Sequence, residues 1–437
     1  MGVKGDEFPL QGQGTESLVG CGAKPHKQTK RRSAMQNFFA IESIEKRAFF
    51  FLAGFCLTVS LSMAASNVFL ALTTLSFLHR LARKHDDVIT FYHKNTNTLK
   101  LLLFLIITVI LSSLFSEDIR HSLKAAVDFY VYRIMPFFIT WFIVKTRRQL
   151  LILLLLILLS VTLNNFAAIG QVYLTNHYHI DSITRFSGLI PYMAQATILS
   201  FTVPLLALAA AHYKKYREIL LFALLMALIA LFFNMTRGAW LAALVTFVTL
   251  IIIYNKNLKV AAGMAVLFSL IGFLLYKNVP LFEARVDTIA KYNIENTERM
   301  KLVTSAYNMW HDHPVFGIGF SRFKTEYQER YILPDAQERN LEHAHNNVMH
   351  VLAETGIVGE LAFLAFWTYL FYFAFRNFRE KRNPYALFLL AVIMAVHLHG
   401  LSEYTLGASR TIKIVFLALG IGLKGIDIGE NIEKEDA

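Results

Sequence analysis

The sequence is short of charge and of cysteine. Asp, Glu, Lys and Arg together make up 17% of its 437 residues, against roughly a quarter in an average soluble domain. Too little polar surface remains to cover a soluble globule of this length, which excludes soluble enzymes and nucleic-acid binders. There are two cysteines, Cys21 in a polar tail and Cys56 inside a hydrophobic block. That placement disfavours a disulfide between them and offers no Cys-based metal site. The strict alternation of membrane-barrel strands is missing too.

What the chain has instead is apolar sequence in blocks. Hydrophobic residues make up 55% of the chain, and runs such as Leu150–Leu159 and Leu220–Phe233 sit inside longer apolar stretches. A helix needs about 20 such residues to cross a bilayer. The expected fold is an all-α polytopic membrane protein of about twelve spans. They are placed at 48–63, 66–79, 99–115, 123–144, 149–170, 188–211, 218–234, 238–254, 258–276, 347–375, 384–401 and 410–424. Residues 1–34 are rich in Gly, Gln and Lys, read as a disordered tail, and lack the apolar stretch of a cleaved signal peptide; Met35 opens more ordinary sequence and is a candidate start. The organisation is then a disordered basic tail and entry segment over 1–47, nine spans over 48–276, a large loop over 277–346, three spans over 347–425 and a tail over 426–437.

Lys and Arg placement orients the chain. Alternate loops are basic: Arg80/Arg83/Lys84, Lys145/Arg147/Arg148, Lys214/Lys215/Arg217, Lys256/Lys259 and Arg376/Arg379/Lys381/Arg382. Cytoplasmic loops carry that excess, so both termini are expected inside. The formal net charge of +12 is mostly this topology signal. The loop over 277–346 then lies outside. Loops beyond about 15 residues usually carry function, and short helices packed over the outer membrane face are expected here.

Arginine is disfavoured on the outer side, so each one there is informative. Arg120 follows Glu117 and Asp118, as a surface pair would. Arg237 occupies a tight turn, Asn234-Met235-Thr236-Arg237-Gly238, close to the membrane plane. Snorkelling at the interface is its bland reading. The alternative is an anion site, in which Thr236 caps the next helix and the guanidinium works beside that helix's N–H groups. Arg185, before another span, and Arg299, in the large loop, are placed to join it. Such forks suit phosphate, and the anion at that depth is a lipid phosphate or pyrophosphate.

The large loop closes on His343-Ala344-His345-Asn346. A metal site is one reading, with His311, His313, His397 or His399 completing it, although zinc takes three or four ligands and none lies at the usual spacing. A structural histidine capping the helix is the second reading. A general base at the outer face is the third, with Asn346 orienting the ring or starting the helix.

His345-Asn346 followed by Gly356-Ile357-Val358-Gly359 resembles the signature of bacterial O-antigen ligases. His313-Pro314-Val315-Phe316-Gly317-Ile318-Gly319-Phe320 resembles a further segment of the wider ligase and polymerase superfamily, as do Thr236-Arg237-Gly238-Ala239-Trp240 and Arg185-Phe186-Ser187-Gly188. The resemblance covers about residues 48–425 and implies a GT-C-like inverting glycosyltransferase of the Gram-negative inner membrane with a periplasmic active site. It implies a donor glycan on undecaprenyl pyrophosphate, the lipid A core oligosaccharide as acceptor, membrane lipids around it, and neither metal nor other cofactor. Carried over, His345 is the base, Arg185, Arg237 and Arg299 hold the pyrophosphate, and His343, Asn346, Glu403 and Arg410 support them or bind acceptor. An O-antigen polymerase and a protein O-glycosyltransferase are the near alternatives. The loop around 171–187 is short for the first, which often has two large loops, and the C-terminal tail is short for the second. A transporter of lipid-linked sugars is the alternative from another class, disfavoured because no internal repeat is visible; Asn164 and Asn165 are the polar exceptions inside a span.

Overall fold

A computed structural model of the chain describes residues 41–84, 86–175, 185–255, 258–290 and 294–435. Their regular elements are all helices. The helices are α1 Ile41–Thr58, α2 Met63–Arg83, α3 Asp86–Leu114, α4 Ile119–Val127, α5 Met135–Ile143, α6 Arg147–Thr175, α7 Tyr192–His212, α8 Arg217–Phe233, α9 Arg237–Asn255 and α10 Leu258–Asn278. The large loop holds α11 Pro280–Ala290, α12 Ile294–Asp312 and α13 Phe323–Glu326, and the chain ends in α14 Asn347–Lys381, α15 Pro384–His399 and α16 Ser409–Glu435. A π-helical segment, Asp128–Arg133, joins α4 to α5.

Every predicted span has a helix, but fewer satisfy the criteria for crossing a membrane. Among the described residues seven stretches are long and apolar enough: Asp87–Leu114, Ile119–Ile143, Arg147–Leu174, Tyr192–His212, Lys214–Phe233, Arg237–Tyr254 and Asn347–Lys381. The chain is a multi-pass membrane protein. Boundaries also move. The first helix starts at Ile41 and the last runs to Glu435, so 41–47 and 426–435 are helix rather than tail. The large loop is not only short helices either, since α12 has 19 residues. The tail over 1–40 lies outside the described residues.

The lipid-facing side of the bundle is apolar, and polar side chains within the spans are turned inward beside an apolar core. On α6, Leu151, Leu155, Leu159 and Phe166 are exposed, while Ser160, Asn164 and Asn165 are buried. At the centre, α16 is buried from Ile412 through Leu419, against α15, whose Leu389, Leu390, Ala391 and Val392 are fully covered. A helix apolar on all sides needs such a central position.

One interruption shapes the rest. α14 breaks at Gly356, at φ 64° and ψ −170°. Into the gap fits the 313–320 segment, with Ile318 N donating to Ala353 O and Gly319 N to Glu354 O at 3.0 Å, and Ile357 N to Pro314 O at 2.9 Å. The buried carbonyls freed by the break are thus satisfied by another backbone. Gly317, at φ 69°, lies directly against Glu354, and a side-chain carbon on either glycine runs into the other strand of this contact. Two segments noted separately in the sequence are one joint.

Gly356→Ala adds both a left-handed non-glycine residue and a clash with Val315. The expected penalty is about 2 kcal/mol or more, read as a lower midpoint of thermal unfolding in detergent. An unchanged midpoint contradicts this account of the joint.

Candidate active site

The Arg237 turn is built by Asn234. That side chain is fully buried, and its Nδ2 donates to Tyr192 O at 3.0 Å and Gln195 Oε1 at 2.9 Å. Its Oδ1 accepts from Thr236 Oγ1 at 2.5 Å, so the Thr236 hydroxyl turns back to the loop rather than forward to α9. Met235 is held left-handed at φ 56°, and its carbonyl accepts from Arg285 Nε at 2.9 Å. A strained non-glycine turn costs on the order of 1–3 kcal/mol and persists where its surroundings hold it. Here the surroundings are Asn234 and Arg285.

The turn forms one wall of a cleft lined by Arg185, Thr236, Arg237, Gly238, Arg285, Arg299, His399, Ser402 and Glu403. The three arginines singled out from the sequence meet here. Asn164 and Gln171 on α6 deliver Arg185: Asn164 Nδ2 donates to Ser187 O at 3.0 Å and its Oδ1 accepts from Leu189 N at 2.8 Å, while Gln171 pairs with both backbone groups of Gly188 at 2.9 Å. The Arg185 guanidinium lies 4.6 Å from the Tyr192 ring centre. From α12 comes Asn296, whose Oδ1 accepts from Arg237 Nη2 at 3.0 Å, and, one helical turn on, Arg299. Glu298 on the same helix anchors it to the following segment by accepting from Gln337 N at 2.9 Å and Glu338 N at 3.0 Å.

Arg285 is an addition to the expected set. It is 4% exposed, and it sits in a mixed-charge stretch, Glu283 to Asp287, that gives no sequence signal. His399 is a second addition. Its ring is fully buried, with Thr197 Oγ1 3.0 Å from Nδ1, and among the described residues Nε2 has no hydrogen-bond partner. Among the described lining residues, four guanidinium groups face one carboxylate, beside the N-terminus of α9. That arrangement is chemically suited to an anion.

The carboxylate is Glu403, and it faces two ways. It lines the cleft, and its Oε2 accepts from His345 Nδ1 at 2.9 Å. Its Oε1 is 3.7 Å from His343 Nδ1. Burial raises the Glu403 pKa, but the His345 hydrogen bond and the nearby His345, His343 and Arg299 charges hold it down at about 2. Burial pushes His343 down to about 4 despite Glu403. His345 is itself left-handed, at φ 48°. The strain is imposed from the next two residues, which tie α14 to the α15–α16 loop. Asn346 starts α14 by accepting from Met349 N at 3.0 Å and donates to Leu401 O at 2.9 Å. Asn347 exchanges two 2.9 Å hydrogen bonds with Thr405. Of the two roles open to Asn346, the observed one is starting the helix.

Two other expectations separate from the cleft. Arg410 is buried on the first turn of α16, outside the lining, and its Nε and Nη1 have no hydrogen-bond partner among the described residues. His397 packs on Trp367 at 4.7 Å between ring centres. The third group that can join His343 and His345 around a cation is Glu403, not another histidine; the ligand atoms of the three lie within 4.8 Å of one another.

Residues 221–364 match the O-antigen ligase family. The matched stretch contains Arg237, Arg285, Arg299, His343 and His345; Arg185 and Glu403 fall outside it. The chain is accordingly a multi-pass membrane protein that carries a segment similar to that family. No curated protein matches the chain.

Because the folded Glu403 pKa lies below its ordinary value of 4.5, its contribution to stability is complete above that value and is lost as pH falls toward 2. The thermal midpoint of the wild type, compared with Glu403→Gln, is expected to decline as pH drops across that window. A difference that stays constant with pH contradicts the assignment.

Proposed function

We propose that this chain, with its O-antigen ligase domain over residues 221–364, joins O-antigen to the lipid A core at the periplasmic face of a Gram-negative inner membrane, with both termini cytoplasmic. The observation that carries the reading is the hydrogen bond of His345 to Glu403, since Glu403 is also a wall of the four-arginine cleft. It supports a reading with a base beside a leaving-group site.

With Nδ1–H donated to Glu403, His345 presents an unprotonated Nε2. Nε2 takes the proton of the acceptor sugar hydroxyl, and the oxygen attacks C1 of the donor sugar from the face opposite the pyrophosphate. The C1–O bond to the pyrophosphate breaks as the new glycosidic bond forms, which inverts the anomeric centre. The leaving lipid pyrophosphate carries the electron pair into the cleft, where Arg185, Arg237, Arg285 and Arg299 stabilise the developing charge. Fixed donors at such a position are each worth about 10²–10³ in rate. The imidazolium then releases its proton to solvent. Glu403 acts through His345 by fixing its tautomer and favouring the imidazolium, as a carboxylate does in hydrolase triads. His343 and Asn346 shape the same corner, and Arg410 is assigned to acceptor contacts away from the cleft. In this reading the guanidinium groups stand in for a divalent cation.

Complementation of a ligase-deficient strain with matching donor and core tests the acceptor. A lipopolysaccharide ladder restored by wild type and absent with membrane-inserted His345→Ala is expected; glycan lengthened on its lipid carrier instead identifies a polymerase and overturns the ligase reading. In purified protein, Arg237→Ala and Arg299→Ala are each expected to lower kcat by about 10²–10³, with transfer persisting in excess EDTA. Loss of transfer in EDTA contradicts the role given to the arginines.

A further inference from the structure

His343 and His345 turn the same nitrogen toward one carboxylate. Their rings are 4.4 Å apart between centres and inclined at 69°. His345 Nδ1 is 2.9 Å from Glu403 Oε2 and His343 Nδ1 is 3.7 Å from Oε1. The three ligand atoms lie within 4.8 Å of one another. His343 Nδ1 is also buried without a hydrogen-bond partner among the described residues. A buried polar atom in that state ordinarily has an explanation in an ion, a water or a function.

Two imidazoles and one carboxylate suit zinc, nickel or copper; calcium and magnesium prefer all-oxygen sets. Around a tetrahedral zinc with bonds near 2.0–2.1 Å, neighbouring ligand atoms are about 3.4 Å apart. The observed spacing reaches this with modest side-chain rotation and leaves one position for water. The adjoining guanidinium groups oppose a further cation, so the ion binds reversibly rather than as a permanent part of the fold.

We propose that His343, His345 and Glu403 form a binding site for a borderline divalent cation, zinc foremost, and that the bound ion switches transfer off. This rests on His345 being the base. A nitrogen that ligates a metal carries no proton. The neutral imidazole keeps its single proton, which passes through solvent from Nδ1 to Nε2. His345 then presents a donor to the acceptor hydroxyl where the reaction needs a proton acceptor. The arginine cleft is not filled, so the donor substrate still binds. Inhibition lowers kcat and leaves the KM for the donor unchanged.

The test uses the full chain in detergent, stripped with EDTA and titrated with Zn²⁺ by equilibrium dialysis, with Co²⁺ absorption as a second probe. One ion per wild-type chain is expected. His343→Gln weakens binding at least about tenfold, and His343→Cys, which supplies a thiolate ligand, restores it. No stoichiometric binding by the wild type, or binding unchanged in His343→Gln, overturns the site. In the transfer assay, Zn²⁺ is expected to lower kcat, reversibly on EDTA addition; bound zinc without loss of kcat overturns the switch. A stripped wild type that binds zinc yet transfers nothing overturns the base assignment instead, leaving the site standing.

Discussion

Glu403 is a buried carboxylate with a histidine on one side and arginines on the other. Burying that charge is unfavourable without partners, and its partners are the groups to which the chemistry is assigned. The His345 hydrogen bond holds the carboxylate ionised, and in the proposed reaction the carboxylate in turn sets which imidazole nitrogen carries the proton. The left-handed backbone at His345 and the Asn346 and Asn347 contacts to the α15–α16 loop hold this pair together. Without them, the ring and the carboxylate belong to separate loops.

The scaffold behind the pair is organised by interruptions in its helices. The break at Gly356 lets the 313–320 segment join α14 backbone to backbone. The end of the large loop, which carries His343 and His345, is thereby fixed between α12 and α14. At the other wall, the strained Met235 turn takes its shape from Asn234 below and Arg285 above. Both walls place strained backbone, at Met235 and His345, beside the arginine cleft or its carboxylate. Strain of this kind survives only where packing over-determines it.

Much of this was legible in the sequence, for identifiable reasons. Arg185, Arg237 and Arg299 stood out because cations are scarce on the outer side of a bundle, and they do share one cleft. Asn164, an anomaly within an apolar span, proves to hold the Arg185 loop. Arg285 had no such contrast, lying among Glu283 and Asp287 in a polar stretch. In the sequence His399 figured as a residue to complete a metal site; the fold places it in the cleft lining, with a nitrogen unpartnered among the described residues. The third group beside His343 and His345 comes from Glu403, 58 residues beyond His345, a separation no local spacing rule spans. Helix ends were misjudged where charged residues continue a helix past its apolar core, as at 426–435. Hydropathy registers the apolar run and is blind to the good helix formers that extend it.

The tautomer of His345 is the claim on which both the transfer reaction and its inhibition by a cation depend. It is observable by ¹⁵N nuclear magnetic resonance of histidine-labelled protein at neutral pH, with His345→Gln used to assign the signal. A protonated Nδ1 and an unprotonated Nε2 in the wild type, with the preference lost in Glu403→Gln, is the result the account predicts. A wild-type ring protonated at Nε2 contradicts it, because such a ring has no lone pair to take the acceptor's proton.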